Sequence, residues 1–282
     1  MSSTPWLRAG WLQAKTELRI NFLTPSFLAT VIGPIISVVV VWFVLGSTNY
    51  DATDILGAAF ALAGMLGVSG AMAAFGVMSE MYTERTEGTL LRLRMVPDGI
   101  RSWVFGKTLS VGLYMLFTAG VMAAGTFIAF PSLIPASVLQ VAALVAVLLA
   151  SYFVFLPLGI MAGTLTRTTA GLTIAMLVFF ALYAASGTVF PITYYPEALQ
   201  WVVGATPFYW SAHIARWALL PAEAGTAELL GTFQPLLGLG VMTAWAIVAY
   251  ALAPRVLRRG IRRETVGALM AARDRLAAQG YA

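Results

Sequence analysis

Six runs of about twenty or more apolar residues constrain this chain more than any other feature of its sequence, because a run of that length crosses the hydrocarbon core of a bilayer as a helix. They lie at about 26–46, 55–78, 103–130, 137–163, 168–190 and 233–253, and together they take up roughly half of the 282 residues. Composition agrees: 60% of residues are hydrophobic, 10% are charged, and the mean hydropathy is +0.84, so lipid rather than water is the solvent for most of the chain. The expected fold class is an all-α integral membrane protein with six transmembrane helices. Twenty-five residues precede the first run and five more runs follow it, so it reads as a retained helix and not a cleaved signal peptide. The absence of cysteine excludes disulfides, thiolate metal sites, iron–sulfur clusters and cysteine catalysis, and a single histidine argues against a histidine-based metal centre.

Basic residues set the expected orientation. Segments 1–25, 79–102 with Lys107, 164–167 and 254–282 hold sixteen of the seventeen Lys and Arg, with Arg216 the exception. By the positive-inside rule these segments face the cytoplasm, which puts both termini inside and suits an even number of spans. The inner side then carries a net charge of +9 and the outer side −4, which resolves the overall +5 without any need for nucleic acid as a partner. Such a chain is expected in the plasma (inner) membrane.

The chain divides into three regions on this reading. Residues 1–25 form an amphipathic interfacial helix, with Leu7, Trp11, Ala14 and Leu18 on one stripe, Arg8, Lys15 and Arg19 on another, and Trp6 and Trp11 as headgroup anchors. Residues 26–253 are the transmembrane domain. Residues 254–282 are a basic cytoplasmic tail, whose arginines suit acidic headgroups and whose stripe Ile261, Thr265, Leu269, Ala272 and Leu276 suits packing on protein. Within the domain, the outer segment 191–222 is too apolar for a solvated loop, while Pro191, Pro196, Pro207 and Pro221 divide it into pieces too short to span. Short re-entrant helices fit both facts, with Tyr194, Tyr195, Trp201, Tyr209, Trp210, Trp217 and His213 at the membrane interface. Glycines are dense in the second run, and Gly159 and Gly163 are spaced as in close helix pairs, a spacing also frequent by chance in such helices.

The connection 79–102 is the long cytoplasmic link inside the bundle. Glu80, Glu84, Arg85 and Glu87 are followed by Gly88, then by Leu90, Leu91 and Leu93 interleaved with Arg92 and Arg94. Mixed charge beside an apolar ridge suits a short helix that grips another protein; a solvated loop lying on the membrane surface fits the composition equally. The string Glu84-Arg85-Thr86-Glu87-Gly88-Thr89-Leu90, with Leu93, Pro97 and Gly106-Lys107, resembles a signature of the membrane subunits of type 2 ATP-binding-cassette (ABC) transporters, especially the daunorubicin-resistance-like exporters. Phe190-Pro191, Tyr195-Pro196, Leu199-Gln200, Pro207 and Arg216 are similar to the outer-segment pattern of the same family. Leu91, Tyr195 and Ala215 depart from it, where the family favours an acidic residue and two leucines.

The resemblance implies one permease half of an exporter, paired with a second permease subunit, as homo- or heterodimer, and driven by separate ATP-binding-cassette ATPase subunits. The connection is then the coupling helix. Glu84, Arg85 and Glu87 are expected to make charge-assisted contacts with the ATPase, Leu90 and Leu93 to fill its cleft, and Gly88 to allow the turn needed there, with Thr89 in the same coupling set. The chain is expected to be non-catalytic and to hold no cofactor, ATP and magnesium belonging to the partner. Gly106-Lys107-Thr108 ends like a phosphate-binding loop, but Arg101 stands where that loop needs glycine, so Lys107 reads as a snorkelling lysine.

Two other classes fit the residues less well than an exporter does. A lipid-modifying membrane enzyme needs paired ionisable groups or metal ligands, whereas Asp51, Asp54, Glu197, Glu223 and Glu228 are scattered with no cationic partner set evident. An ion-coupled carrier places a charge within a span, and none sits at mid-depth. The substrate is expected to be hydrophobic or amphipathic, a drug, antibiotic or lipid-like molecule, with Tyr152, Phe155, Phe179, Tyr183 and Phe190 along its path and membrane lipids around the bundle.

Overall fold

A computed structural model of the chain describes residues 5–50 and 55–262. The remainder of the basic tail, from 263 onward, and Asp51 and Asp54 lie outside the described residues. The described backbone is helical, with one isolated antiparallel bridge between Asn49 and Leu56. In chain order the helices are α1 (Pro5–Leu23), α2 (Ser26–Leu45), α3 (Gly57–Gly67), α4 (Ser69–Thr86), α5 (Thr89–Leu93), α6 (Gly99–Ala129), α7 (Val138–Leu165), α8 (Thr169–Ala185), α9 (Glu197–Gly204), α10 (Pro207–Leu219) and α11 (Pro235–Arg262). Short 3-10 turns link several of them.

Helices α2, α6, α7 and α11 are each long and apolar enough to cross a membrane. The second apolar run is not one helix: α3 and α4 meet at Val68 with a bend of 52°, and together they pass the same test. Two glycines flank the break, Gly67 and Gly70, and the two halves serve different neighbours, α3 packing on α10 and α4 on α7. Helix α8 is apolar but has 17 residues, ending at Ala185 rather than near Phe190. Among the described residues, helix α6 is the longest at 31 residues. At about 1.5 Å per residue it outreaches the hydrocarbon core.

Gly159 and Gly163 are used as a close-packing pair. A Cβ at Gly159 would stand 2.6 Å from the Ala74 carbonyl oxygen, and one at Gly163 would stand 2.7 Å from the Met81 Cβ. Both positions touch α4, so the absence of side chains there lets the backbones of α4 and α7 approach. The start of α7 is fixed by a capping box, Ser137 accepting from the Gln140 amide while the Gln140 side chain accepts from the Ser137 amide.

The outer segment is built of short helices, as its prolines require, but it is not an aromatic belt throughout. Tyr194, Trp201 and Trp217 face outward, whereas Tyr209, Trp210 and His213 are buried where α10 packs against α3, α7 and α11. One of the carboxylates expected to be scattered, Glu228, sits instead in a buried charge network. Arg216 Nε and Nη2 donate to the two carboxylate oxygens of Glu228 at 2.6 and 3.0 Å, Nη1 donates to the Gly187 carbonyl, and the guanidinium lies 4.4 Å from the Phe60 ring centre. His213 Nε2 accepts from the Gln234 amide at 2.8 Å, which leaves the ring proton on Nδ1, 2.9 Å from Glu228. Tyr209 also donates to Glu228. Burial alone would raise the pKa of Glu228, but Arg216 and His213 outweigh it and hold the carboxyl near 2. Sequence inspection missed these partners because twelve or more residues separate them along the chain.

Candidate functional site

The C-terminal end of α4 ties four other helices together. Its residues Glu80 and Glu84, one turn apart, both reach Lys107 of α6, at 3.0 and 2.9 Å from Nζ. Glu17 of α1 is the third carboxylate, at 3.0 Å. Lys107 is 4% exposed, so it is a buried ion-pair hub and not a lysine snorkelling to the interface. The Trp103 indole donates to Glu84, and Glu17 accepts from Gln13 and Ser110. Burial raises the Glu17 carboxyl, but those two hydrogen bonds and the Lys107 charge prevail and set it below its ordinary value. Three carboxylates around one ammonium leave the cluster acidic in sum.

On its other sides α4 is held by Arg85 and Tyr82. Arg85 Nη1 donates to the carbonyl oxygens of Thr164, at 3.2 Å, and Thr166, at the end of α7. Those carbonyls are among the last of a helix, where a cation is favoured. Tyr82 bonds the Thr169 hydroxyl at the start of α8. A displacement of this end of α4 is therefore passed to α1, α6, α7 and α8 through named contacts.

Beyond α4 the chain turns at Gly88, which has φ 77°. That left-handed conformation costs an L-residue with a Cβ about 1–2 kcal/mol. Helix α5 that follows is only five residues long. Of the residues expected to meet a partner, Glu84 and Arg85 are committed within the chain, Leu90 is buried in the core, and Thr89 and Leu93 are half-buried. Glu87 is exposed. The outward apolar pair is instead Met95, 84% exposed, and Val96, 57% exposed, flanked by Arg92 and Arg94. Leu90 turns inward because the one-turn helix has a single inner face and packs it on the bundle.

A cavity of about 470 Å³ lies between α2, α3, α4 and α6. Met65, Met72, Met115 and Met122 line it, with Tyr114 and Tyr183, and the cluster residues Glu17 and Glu80 stand at its edge. Thioethers are flexible and polarizable, so such a wall adapts to differently shaped apolar guests. Of the five aromatic residues expected along a substrate path, Tyr183 lines this cavity. Tyr152 is buried and donates to the Thr108 carbonyl, Phe155 and Phe179 pack with Phe208 at ring separations of 4.6 and 4.9 Å, and Phe190 is half exposed.

Sequence reasoning passed over Lys107, Glu17, Glu80 and Trp103 as members of one cluster. The signal was present in part: Glu80 and Glu84 share a helix face by their spacing, and Glu17 is the one acidic residue in an otherwise basic N-terminal segment.

Long apolar helices, a buried crossing of α4 and α7, and a short exposed connection joined to the bundle by ion pairs define a multi-pass helical membrane subunit. The family model described as "ABC-2 family transporter protein" matches residues 48–254, most of the chain, and the protein belongs to that family as a permease subunit. The match takes in α3 to α10 and most of α11, including the whole connection 79–102. No curated protein matches the sequence.

Proposed function

We propose that this chain is one membrane half of an exporter powered by ATP hydrolysed on a separate subunit, working beside a second permease subunit in the plasma membrane. The six apolar segments, counting α3 with α4 as one and including α8, are its spans, and both termini face the cytoplasm. An ATP-binding-cassette subunit docks on the exposed end of the connection, at Glu87, Met95 and Val96. Closure of the ATPase moves α5 and the adjoining end of α4, and the Lys107 cluster and Arg85 carry that motion to α1, α6 and α7.

The observation that carries this reading is the double character of the connection: exposed and apolar at Met95 and Val96, yet bonded to α6 at Glu80 and Glu84 and to the end of α7 at Arg85. A loop with no mechanical task needs neither feature. The substrate is an apolar or amphipathic molecule, and the methionine-lined cavity is its compartment. Replacing Met95 by Asp tests the docking face. ATPase activity recovered with the full-length permease is expected to fall while membrane insertion is retained; ATPase recovery equal to wild type contradicts the assignment.

A further inference from the structure

A second concavity, of about 980 Å³, opens at the end of the bundle that carries the connection. Its walls come from the connection, α6, α7 and α11, with Trp6 of α1 at its rim. Among the described residues, three arginines line it, Arg94, Arg101 and Arg258, against one acidic residue, Asp98, which pairs with Arg101 at 3.1 Å. The lining is therefore cationic in sum. The remaining wall is largely apolar, including Val104, Leu156, Ile160 and Leu257.

Helix direction sorts these residues by depth. Helix α6 runs from Arg101 through Val104 to Thr108 into the apolar part of the span, and α11 returns from Tyr250 through Leu257 to Arg258. Arg101 and Arg258 thus stand toward the ends of α6 and α11, while Ile160 of α7 and Tyr250 of α11 lie about one to two turns further in. A ligand that matches this gradient has an anionic head and a hydrocarbon tail aligned with the helices. A free anion leaves the apolar wall uncovered, and a soluble peptide has no reason to follow the gradient into the bilayer.

We propose that this groove is a binding site for an anionic phospholipid, its phosphate held by Arg101 and Arg258 and its acyl chains lying along α6, α7 and α11. The orientation of the lipid rests on the topology proposed above, which makes it a lipid of the cytoplasmic leaflet. Leu93, Arg94 and Val96 border the groove, so the lipid touches the same connection that is proposed to receive the ATPase. Phospholipid charge then tunes how firmly that connection is seated.

The test uses the purified full-length chain without ATPase or transported substrate, so its outcome is separate from whether ATP drives transport. The chain is equilibrated in detergent with equal amounts of phosphatidylglycerol and phosphatidylcholine of one chain length, and retained lipid is counted by native mass spectrometry. Wild type is expected to retain phosphatidylglycerol over phosphatidylcholine by about tenfold. The double variant Arg101→Gln with Arg258→Gln is expected to bring the ratio close to one, and the Lys/Lys counterpart to preserve most of it. Arg167→Gln, an exposed arginine between α7 and α8, is the control and leaves the ratio unchanged. No preference in wild type, an unchanged preference in the Gln/Gln variant, or an equal loss in the control overturns the proposal. So does displacement of the lipid by glycerol 3-phosphate alone, which identifies a phosphate site without a role for the apolar wall.

Discussion

Lys107 Nζ lies 2.9 Å from Glu84 Oε1, and this ion pair joins the two helices that flank the exposed connection. With Glu17 and Glu80 also within 3.0 Å, the lysine neutralises part of an otherwise repulsive acidic cluster. Lys107→Met leaves three carboxylates facing one another and is expected to cost about 3–5 kcal/mol, the usual penalty for breaking a buried pair. Thermal unfolding in detergent is expected to fall by about 10 °C. Adding Glu84→Gln to that variant removes one of the unpaired charges and recovers part of the loss, which a double-mutant cycle measures.

Gly88 supplies a second prediction, since its φ of 77° ends α4 and starts α5. Asparagine tolerates the left-handed region better than alanine, and valine tolerates it worst. Transport is therefore expected to decline in the order Gly, Asn, Ala, Val while membrane insertion stays constant. Equal transport in the valine variant contradicts a role for the turn.

The contact of Arg85 with the end of α7 predicts a local effect. Arg85→Ala removes the donor to the Thr164 and Thr166 carbonyls, a loss of about 1–2 kcal/mol for a charged hydrogen bond at a helix terminus. Amide hydrogen exchange is expected to speed by about tenfold at 163–168 and to stay unchanged at the far end of α7.

The outer network predicts a pH dependence. Glu228 has its carboxyl lowered from 4.5 to about 2, so its stabilising contribution is complete above about pH 4.5 and disappears as pH falls through about 2. A glutamine at 228 lacks that contribution at every pH. The gap in unfolding temperature between wild type and Glu228→Gln is expected to be constant from pH 8 to 5, to narrow below 4.5 and to close near 2. A gap that is unchanged at pH 2.5 contradicts the pairing with Arg216.

Much of this architecture is legible without coordinates, because lipid as solvent forces long apolar runs and Pro207 or Pro221 forces breaks. The bend at Val68 was not legible: it arises from α3 and α4 serving different partners, and glycines on either side permit a bend without announcing one. Leu90 and Met95 show the same limit in the connection 79–102. Both are apolar and near the same turn, and only the position of the bundle decides that Leu90 packs inward and Met95 outward. Lys107, Glu17 and Glu84 meet across helices that are far apart in sequence, and no local pattern records such a meeting. The Gly159 and Gly163 spacing was visible, but its use depended on where α4 lies.

The central claim, that ATP hydrolysed elsewhere drives transport through the connection 79–102, is tested most directly in inside-out membrane vesicles containing the chain with its ATPase subunit. ATP-dependent accumulation of a fluorescent amphipathic probe is measured for wild type and for Met95→Asp with Val96→Asp, at matched permease levels. Accumulation that requires ATP in wild type and falls to the level without ATP in the double variant is the predicted result. Accumulation that is independent of ATP, or equal in the two proteins, contradicts the account.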